Sequence, residues 1–131
     1  MLFNRTACIP SPPNALLFTS AAGVSGMGLF PGGGGGQGEQ LLPPLNDVRH
    51  PAAVATLPSE NLIFWIDQSQ GSIYSVRREG DDRRVVASDL QSPVRLAVDW
   101  VSKLVFWTDN LLDVIEVADI AGVHRLEMLH G

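Results

Sequence analysis

Cysteine is almost absent from this chain, which has a single one, Cys8, among 131 residues. One thiol cannot form a disulfide within the chain, and it cannot supply a metal site of the paired-cysteine type. A single cysteine does not indicate whether the compartment of the protein is oxidising or reducing. Cys8 is either an inert residue near the start of the chain or half of a bridge to another module.

Charge is absent from a long N-terminal stretch, yet no apolar run in it suits a membrane span. No charged residue lies between Thr6 and Gly38, and the residues from Ala15 to Phe30 are apolar or small. This run is shorter than the ~20 residues that a bilayer requires, and glycines interrupt it. Prolines precede its apolar core, which argues against a signal peptide. A targeting segment remains the alternative interpretation of residues 15–30.

Basic residues are outnumbered by acidic ones, and the formal net charge is -5. This balance argues against nucleic acid as a partner, and a hydrophobic content of 45% is that of a globular protein. Arginines do cluster between positions 77 and 84, but acidic residues lie among them. The sequence there predicts the solvated end of a hairpin with mixed charges.

Groupings of residues that carry catalysis are also missing. The histidines, at positions 50, 124 and 130, have no spacing that suggests a shared metal site, and Cys8 is too isolated for a cysteine–histidine pair. Ser88 and Ser92 have no histidine at short range, so a nucleophilic triad is unsupported. The glycines from Gly32 to Gly36 are not followed by the lysine of a phosphate-binding loop. We predict no catalytic residue, no metal ligand and no cofactor.

The chain does contain a repeat. Leu62-Ile63-Phe64-Trp65-Ile66-Asp67 returns as Leu104-Val105-Phe106-Trp107-Thr108-Asp109, and 42 residues separate positions 64 and 106. Each run is too short for a helix and is rich in aromatic and β-branched residues, so it predicts the most buried strand of its unit. A period of this size indicates units that bury their apolar faces against one another.

Each copy predicts four short antiparallel strands in a meander. In the first copy they start at Pro51, Leu62, Ser72 and Arg83, and in the second at Pro93, Leu104, Asp113 and Arg125. Leu16 to Ser20 aligns with Ile63 to Asp67 as part of a degenerate earlier copy, whose last strand is expected at Glu39 to Leu42. We therefore expect a tail or linker in residues 1–13, a degenerate unit in 14–44 with a glycine-rich loop at 32–36, a second unit in 45–90 and a third in 91–131.

Four-stranded units of this length are typical of β-propeller blades, which stand radially around an axis. A flat continuous sheet is the alternative. A flat sheet would leave the apolar surface of the repeated aromatic strand uncovered, whereas radial stacking buries that surface between units. The fold class predicted is all-β, as part of a propeller with about three four-stranded antiparallel blades, the first of them degenerate.

The second copy resembles a low-density lipoprotein receptor class B repeat, the repeat known by its Tyr-Trp-Thr-Asp signature. The resemblance lies in Asp99 and Trp100, the run Phe106-Trp107-Thr108-Asp109, and then Gly122 and Arg125. Phenylalanine replaces the signature tyrosine in both copies, and Ile66 replaces the threonine in the first. The resemblance implies lipoprotein receptor-related proteins as relatives and six blades in a complete propeller.

The resemblance also implies a setting for the chain. Class B propellers adjoin cysteine-rich modules like those of epidermal growth factor in the extracellular part of membrane receptors. Cys8 would then be half of a bridge in such a module, with residues 1–13 as its tail, and Asn4 in Asn4-Arg5-Thr6 would be a glycosylation acceptor. The partners implied are protein ligands and the remaining blades, with a membrane reached only through a transmembrane segment elsewhere in the parent protein.

Asp67 and Asp109 are the strongest candidates for functional residues in the sequence. They are either calcium ligands or catalytic carboxylates, or they are buried acceptors for backbone N–H groups or for an arginine. A residue that recurs in every unit favours the structural role, with Arg125 and the matching Arg83 or Arg84 as expected partners. Binding is expected through loops at one end of the propeller, contributed by Trp100 and by the residues that follow Asp67 and Asp109.

Two functions remain on this evidence. The preferred one is a non-enzymatic fragment of an extracellular receptor that binds proteins in endocytic uptake or Wnt co-reception. The alternative is a propeller hydrolase with a metal on its axis, which requires metal ligands on the inner strands. Those strands carry mainly alanine, valine and leucine.

Overall fold

The computed structural model describes residues 15–20, 23–28, 48 and 50–131. Ten β-strands are found in this part of the chain, joined by tight turns and one 3₁₀ turn at Pro58–Glu60. In chain order they are β1 Ala15–Ser20, β2 Gly23–Gly28, β3 Pro51–Leu57, β4 Leu62–Asp67, β5 Ser72–Arg77, β6 Arg84–Ala87, β7 Pro93–Asp99, β8 Leu104–Asp109, β9 Val114–Asp119 and β10 Arg125–His130.

The strands form three antiparallel sheets. Strands β1 and β2 pair as a hairpin, here called the N-terminal hairpin. Strands β3 to β6 form a four-stranded meander, the FWID blade, and β7 to β10 form a second one, the FWTD blade. The predicted all-β class and the predicted four-stranded units are confirmed.

The two blades are built alike because the same backbone conformations recur one period apart. Asn61 and Lys103 both adopt left-handed φ angles, of 58° and 60°, at the turns that lead into β4 and β8. Gly80 and Gly122 do the same in the outer hairpins. Asp113 was expected to begin a strand, but its φ of 58° places it in the turn before β9.

Strand β4 is buried on both faces except at Leu62, as predicted. Phe64 and Ile66 pack against Val105 and Trp107 of the FWTD blade, in a core between the two blades. Residues of the opposite β4 face pack on the other side against Val24 of the N-terminal hairpin. Alternate residues of one strand thus join successive units, which is the packing expected of propeller blades.

The inner strands of the units lie side by side, with β3 between β1 and β7. The sheets therefore converge at their first strands and diverge toward β6 and β10. This arrangement places the turns of the blades in two groups, one at each end of the strands.

The FWTD blade turns one face toward the FWID blade and the other toward solvent. Register places Leu126, Val117 and Phe106 in one row across the solvent-facing side. Leu126 is 66% exposed and Phe106 is half-buried, whereas Phe64, the equivalent of Phe106, is fully buried under the next blade. The alternation of burial along β8 follows from this single covered face.

Several expectations concern residues before position 48. Leu16 to Ser20 is a strand, as predicted, and forms most of β1. The glycine loop at 32–36, the strand expected at 39–42, Asn4 and Cys8 all lie outside the described residues.

Candidate functional site

The antiparallel meander separates the turns of each blade into two ends. Pro93 pairs with Asp109 at one end of β7 and β8, and Asp99 pairs with Leu104 at the other. We call these the Asp109 end and the Trp100 end, since Trp100 directly follows Asp99. The expectation that Trp100 shares a binding end with the residues after Asp67 and Asp109 is wrong, because consecutive turns of a meander lie at opposite ends.

Asp109 organises the Asp109 end of the FWTD blade. It is 1% exposed, and its Oδ2 accepts hydrogen bonds from the backbone N–H groups of Gln91 at 2.8 Å and Ser92 at 3.0 Å. Its Oδ1 accepts from Leu111 at 3.0 Å and Leu112 at 3.2 Å. One carboxylate therefore joins the segment that enters the blade to the turn after β8.

These contacts also set the charge state of Asp109. Burial raises the pKa of its carboxyl, but hydrogen bonds from the four backbone N–H groups together lower the pKa by more. The pKa therefore lies below its ordinary value. The carboxylate is ionised and fully engaged in backbone hydrogen bonds. This arrangement matches the structural role predicted for the residue.

Asp67 occupies the equivalent place in the FWID blade with fewer contacts. Its Oδ1 accepts from the backbone N–H groups of Ser69 at 3.0 Å and Gln70 at 3.3 Å, and from the Ser69 hydroxyl at 2.6 Å. Its Oδ2 is buried and has no hydrogen-bond partner among the described residues. The two signature aspartates share a place in the fold but differ in how completely they are bonded.

Arg125 does not pair with Asp109, and that expectation is wrong. Arg125 donates from Nε to Glu116 Oε1 at 2.8 Å and from Nη2 to Glu116 Oε2 at 2.9 Å. Arg84 pairs with Asp82 at 3.1 Å on the surface. Backbone N–H groups already occupy the Asp109 carboxylate, which leaves it no need of an arginine.

Glu116 is a buried residue that sequence reasoning missed. It accepts the indole N–H of Trp107 at 3.0 Å in addition to the two bonds from Arg125, whose guanidinium lies 5.4 Å from the Trp107 ring centroid. Arg125 also donates to the Ser88 carbonyl of the FWID blade at 2.9 Å. The available signal was an acidic residue in the middle of an apolar strand, beside a tryptophan and an arginine that both recur one period apart.

The FWID blade replaces this ion pair with a stack. Tyr74 takes the place of Glu116, and its ring lies 5.4 Å from that of Trp65. Arg83, one period before Arg125, has its guanidinium 5.0 Å from the Trp65 centroid and 4.6 Å from the Tyr74 centroid. The Trp65 indole N–H is buried without a partner among the described residues. The two blades thus hold the same tryptophan by different chemistry.

The Trp100 end is shaped by the carboxylates of Asp99 and Glu60. Asp99 accepts from the backbone N–H groups of Val101 at 2.9 Å and Ser102 at 3.3 Å, and its bonds to Ser102 and Val101 lower its pKa. The side chain of Lys103 pairs with Glu60 of the neighbouring blade. Trp100, at the tip of this turn, is 70% exposed.

Asp119 holds the hairpin turn between β9 and β10. It accepts from the backbone N–H groups of Ala121, Val123 and His124 at 3.0 to 3.1 Å, and it contacts His124 Nδ1 at 2.8 Å. Bonds from Val123 and from the His124 side chain lower its pKa to about 2. Gly122 in this turn has φ of 73°, and a Cβ placed there would lie 2.4 Å from the Val86 carbonyl oxygen.

A protein holds a metal ion with three or more ligand side chains that lie close together. In residues 15–20, 23–28, 48 and 50–131, no group of three or more histidine, cysteine, aspartate or glutamate side chains is placed to do so. The same residues include no helix long and apolar enough to cross a bilayer.

Comparison with known sequences identifies the repeat. Residues 61–100 match the family described as low-density lipoprotein receptor repeat class B. The chain is 38% identical over 77 residues to low-density lipoprotein receptor-related protein 5 of Mus musculus, covering 56% of this chain and 5% of that protein. It is 35% identical over 91 residues to receptor-related protein 8 of Homo sapiens, covering 66% and 9%.

A third relative is nidogen of Drosophila melanogaster, 36% identical over 62 residues, covering 47% of this chain and 5% of nidogen. The chain therefore spans less than a tenth of the length of each of these relatives.

Comparison with solved structures agrees with the sequence matches. A chain in the crystal structure of a nidogen/laminin complex superimposes with a TM-score of 0.77 at 25% identity, over 88% of this chain and 44% of that one. The matched fold is a β-propeller with the Tyr-Trp-Thr-Asp signature. The chain therefore contains a repeat that matches the low-density lipoprotein receptor class B family, and its relatives and blade architecture are similar to those of proteins built from that repeat.

Proposed function

We propose that the chain is part of an extracellular β-propeller that binds a protein ligand and catalyses no reaction. The observation that carries this proposal is the match of its blades to the nidogen propeller in the crystal structure of a nidogen/laminin complex. Receptor-related proteins 5 and 8 share the same repeats. Protein binding is the function that fits both these relatives and the propeller architecture of the chain.

The placement of the carboxylates supports a binding role. Asp67, Asp99, Asp109 and Asp119 each accept hydrogen bonds from backbone N–H groups of nearby turns. General acid–base catalysis needs a carboxyl group within reach of a substrate proton, whereas these carboxylates bond to the backbone, and the remaining oxygen of Asp67 is buried. What the blades offer to a partner is the exposed surface of turns on a rigid scaffold.

The parent protein would be a cell-surface receptor of the lipoprotein receptor-related kind, acting in endocytic uptake or in Wnt co-reception. It would carry further blades, a growth-factor-like module that includes Cys8, glycan on Asn4 and a membrane anchor in another part of the chain. In this proposal residues 14–44, 45–90 and 91–131 are three successive blades.

The proposal is tested by binding of the purified full 131-residue chain, secreted from mammalian cells, to laminin and to a purified Wnt protein. Biolayer interferometry with each ligand immobilised should show saturable binding to at least one of them. The matched control is the Trp107→Asp variant, which places a charge in the core between the blades and should abolish binding together with the fold.

Two results would contradict the proposal. One is the absence of saturable binding by a chain whose circular dichroism shows the native β-structure. The other is calcium-dependent hydrolysis of an ester or lactone substrate by the same preparation, which would favour the hydrolase alternative.

A further inference from the structure

One of the three tryptophans of the chain lies on the surface. Trp65 and Trp107 are 0% and 1% exposed, whereas Trp100 is 70% exposed at the tip of the turn between β7 and β8. Val101 beside it is 68% exposed, and Val123, in the β9–β10 turn at the same end, is 72% exposed. Such exposure leaves these side chains little part in the core, and it leaves apolar area free for a partner.

The turn that carries Trp100 is held firmly. Asp99 fixes it through the N–H groups of Val101 and Ser102, and the Lys103 carbonyl accepts from Ile120 at 3.3 Å. The Lys103 side chain joins the turn to Glu60 of the FWID blade. An aromatic side chain on a turn that is already ordered loses little conformational freedom on binding, which favours affinity.

Charges at this end are already engaged within the molecule. Asp99 and Asp119 accept backbone hydrogen bonds, and Lys103 is neutralised by Glu60. In the neighbouring hairpin of the FWID blade, Arg77 pairs with Asp81 at 3.4 Å, and Arg84 pairs with Asp82. The charged groups around the exposed apolar side chains are therefore already paired within the molecule. A partner surface that complements this end is apolar and uncharged.

We propose that the Trp100 end of the FWTD blade is a docking surface for an uncharged, apolar peptide segment of a partner protein. That segment packs against the Trp100 ring and against Val101 and Val123. The inference rests on the proposed function and deepens it, since it selects the end of the propeller that binds and the chemistry of the partner. Tryptophans that become buried at the centre of an interface are among the residues that contribute most to protein–protein affinity.

The experiment uses a library of random twelve-residue peptides on phage, selected on the full wild-type chain. The selected peptides should be rich in apolar and poor in charged residues. They should bind the Trp100→Ser variant at least about tenfold more weakly than the wild type. Leu111→Ser is the matched control, because Leu111 is 69% exposed in a turn at the Asp109 end, and it should bind the peptides as the wild type does.

Val101→Ser is a second variant for the same surface and should weaken binding in the same direction. Circular dichroism verifies that each variant is folded, as expected of substitutions at exposed turn positions. Failure to select peptides would overturn the inference, as would selection of charged peptides or equal loss in Leu111→Ser. So would dimers of the free chain that dissociate on Trp100→Ser, because the surface would then be occupied by a second copy.

The two proposals fail separately. If neither laminin nor Wnt protein binds while peptides bind through Trp100, the proposed function is wrong in its ligand and the docking surface stands. If either protein binds Trp100→Ser as tightly as the wild type, the protein-binding function stands and the docking surface is wrong.

Discussion

Trp107 donates its indole N–H to the carboxylate of Glu116 on the adjacent strand over 3.0 Å, inside the interface between the two blades. The carboxylate is held in turn by two bonds from Arg125. Burial of a carboxylate is costly unless its oxygens are hydrogen-bonded, and here both are. Glu116 therefore holds the Arg125 side chain in place, and the bond from Arg125 to the Ser88 carbonyl joins the FWTD blade to its neighbour.

Glu116→Gln should lower the free energy of unfolding by about 1–3 kcal/mol, because it removes the charge while keeping an oxygen for Trp107. Arg125 is about one third exposed, so solvent screens part of the loss. Urea unfolding followed by fluorescence measures it. Asp82→Asn, which breaks the exposed pair with Arg84, is the control and should change stability by less than about 0.5 kcal/mol. Equal effects of the two variants would contradict the role given to Glu116.

Asp109→Asn should cost about 2–3 kcal/mol, since an amide nitrogen would face backbone N–H donors that now meet a carboxylate. Asp67→Asn should cost less than about 1 kcal/mol, because the amide nitrogen can take the place of Oδ2, which has no partner among the described residues. The difference between the two urea midpoints is the measurement. A larger loss for Asp67→Asn would show that the two carboxylates have been ranked wrongly.

Acid should destabilise the chain partly through Asp119. Its pKa is lowered from 3.8 to about 2 in the folded state, so its contribution is complete above the unfolded value and is lost as pH falls through about 2. Asp119→Asn should therefore show a shallower decline in stability between pH 4 and pH 2 than the wild type. Asp99 and Asp109, whose pKa values are also lowered, account for slope that remains. Identical slopes would rule out the assignment.

Gly122→Ala should destabilise the chain by at least about 2 kcal/mol, because its φ is left-handed and the added Cβ would overlap the Val86 carbonyl of the other blade. Gly80 has φ of 91° at the equivalent place in the FWID blade. Gly80→Ala thus measures the cost of the backbone conformation at this turn position. Thermal unfolding of the two variants separates that cost from the contact between blades, and an equal loss in both would remove the contact from the explanation.

The solvent-facing side of the FWTD blade should make the isolated chain bind hydrophobic dyes and self-associate. Leu126→Lys should reduce both, with little change in stability because Leu126 is 66% exposed. Sedimentation velocity and dye fluorescence are the measurements, and Val85→Lys, at a 53% exposed site on the edge of the FWID blade, is the control. A wild-type chain that stays monomeric and binds no dye would show that this face needs no cover.

Sequence periodicity was enough to predict β4 and β8 to the residue, because a 42-residue repeat places every strand twice. It was also enough to predict that Asp109 serves the backbone. It failed on the partner of Arg125, because strand pairing, rather than sequence separation, decides that Glu116 lies beside it and Asp109 does not. The prediction that Trp100 lies at the same end as the residues after Asp109 was wrong for another reason. Chain direction reverses at each strand of a meander, so turns that follow consecutive strands lie at opposite ends.

The bonds that Asp109 makes to Gln91 and Ser92 have a consequence for how these chains can vary in length. These bonds fix the position of the connection between the blades relative to the Asp109 carboxylate. Just beyond this connection, Gln68 Nε2 donates to the Pro93 carbonyl at 3.0 Å. An insertion between positions 88 and 93 would move the donors away from Asp109, whereas one at the tip of the hairpin near Asp81 would extend into solvent. Natural variation in the size of this repeat should therefore accumulate at hairpin tips and spare the junctions between blades.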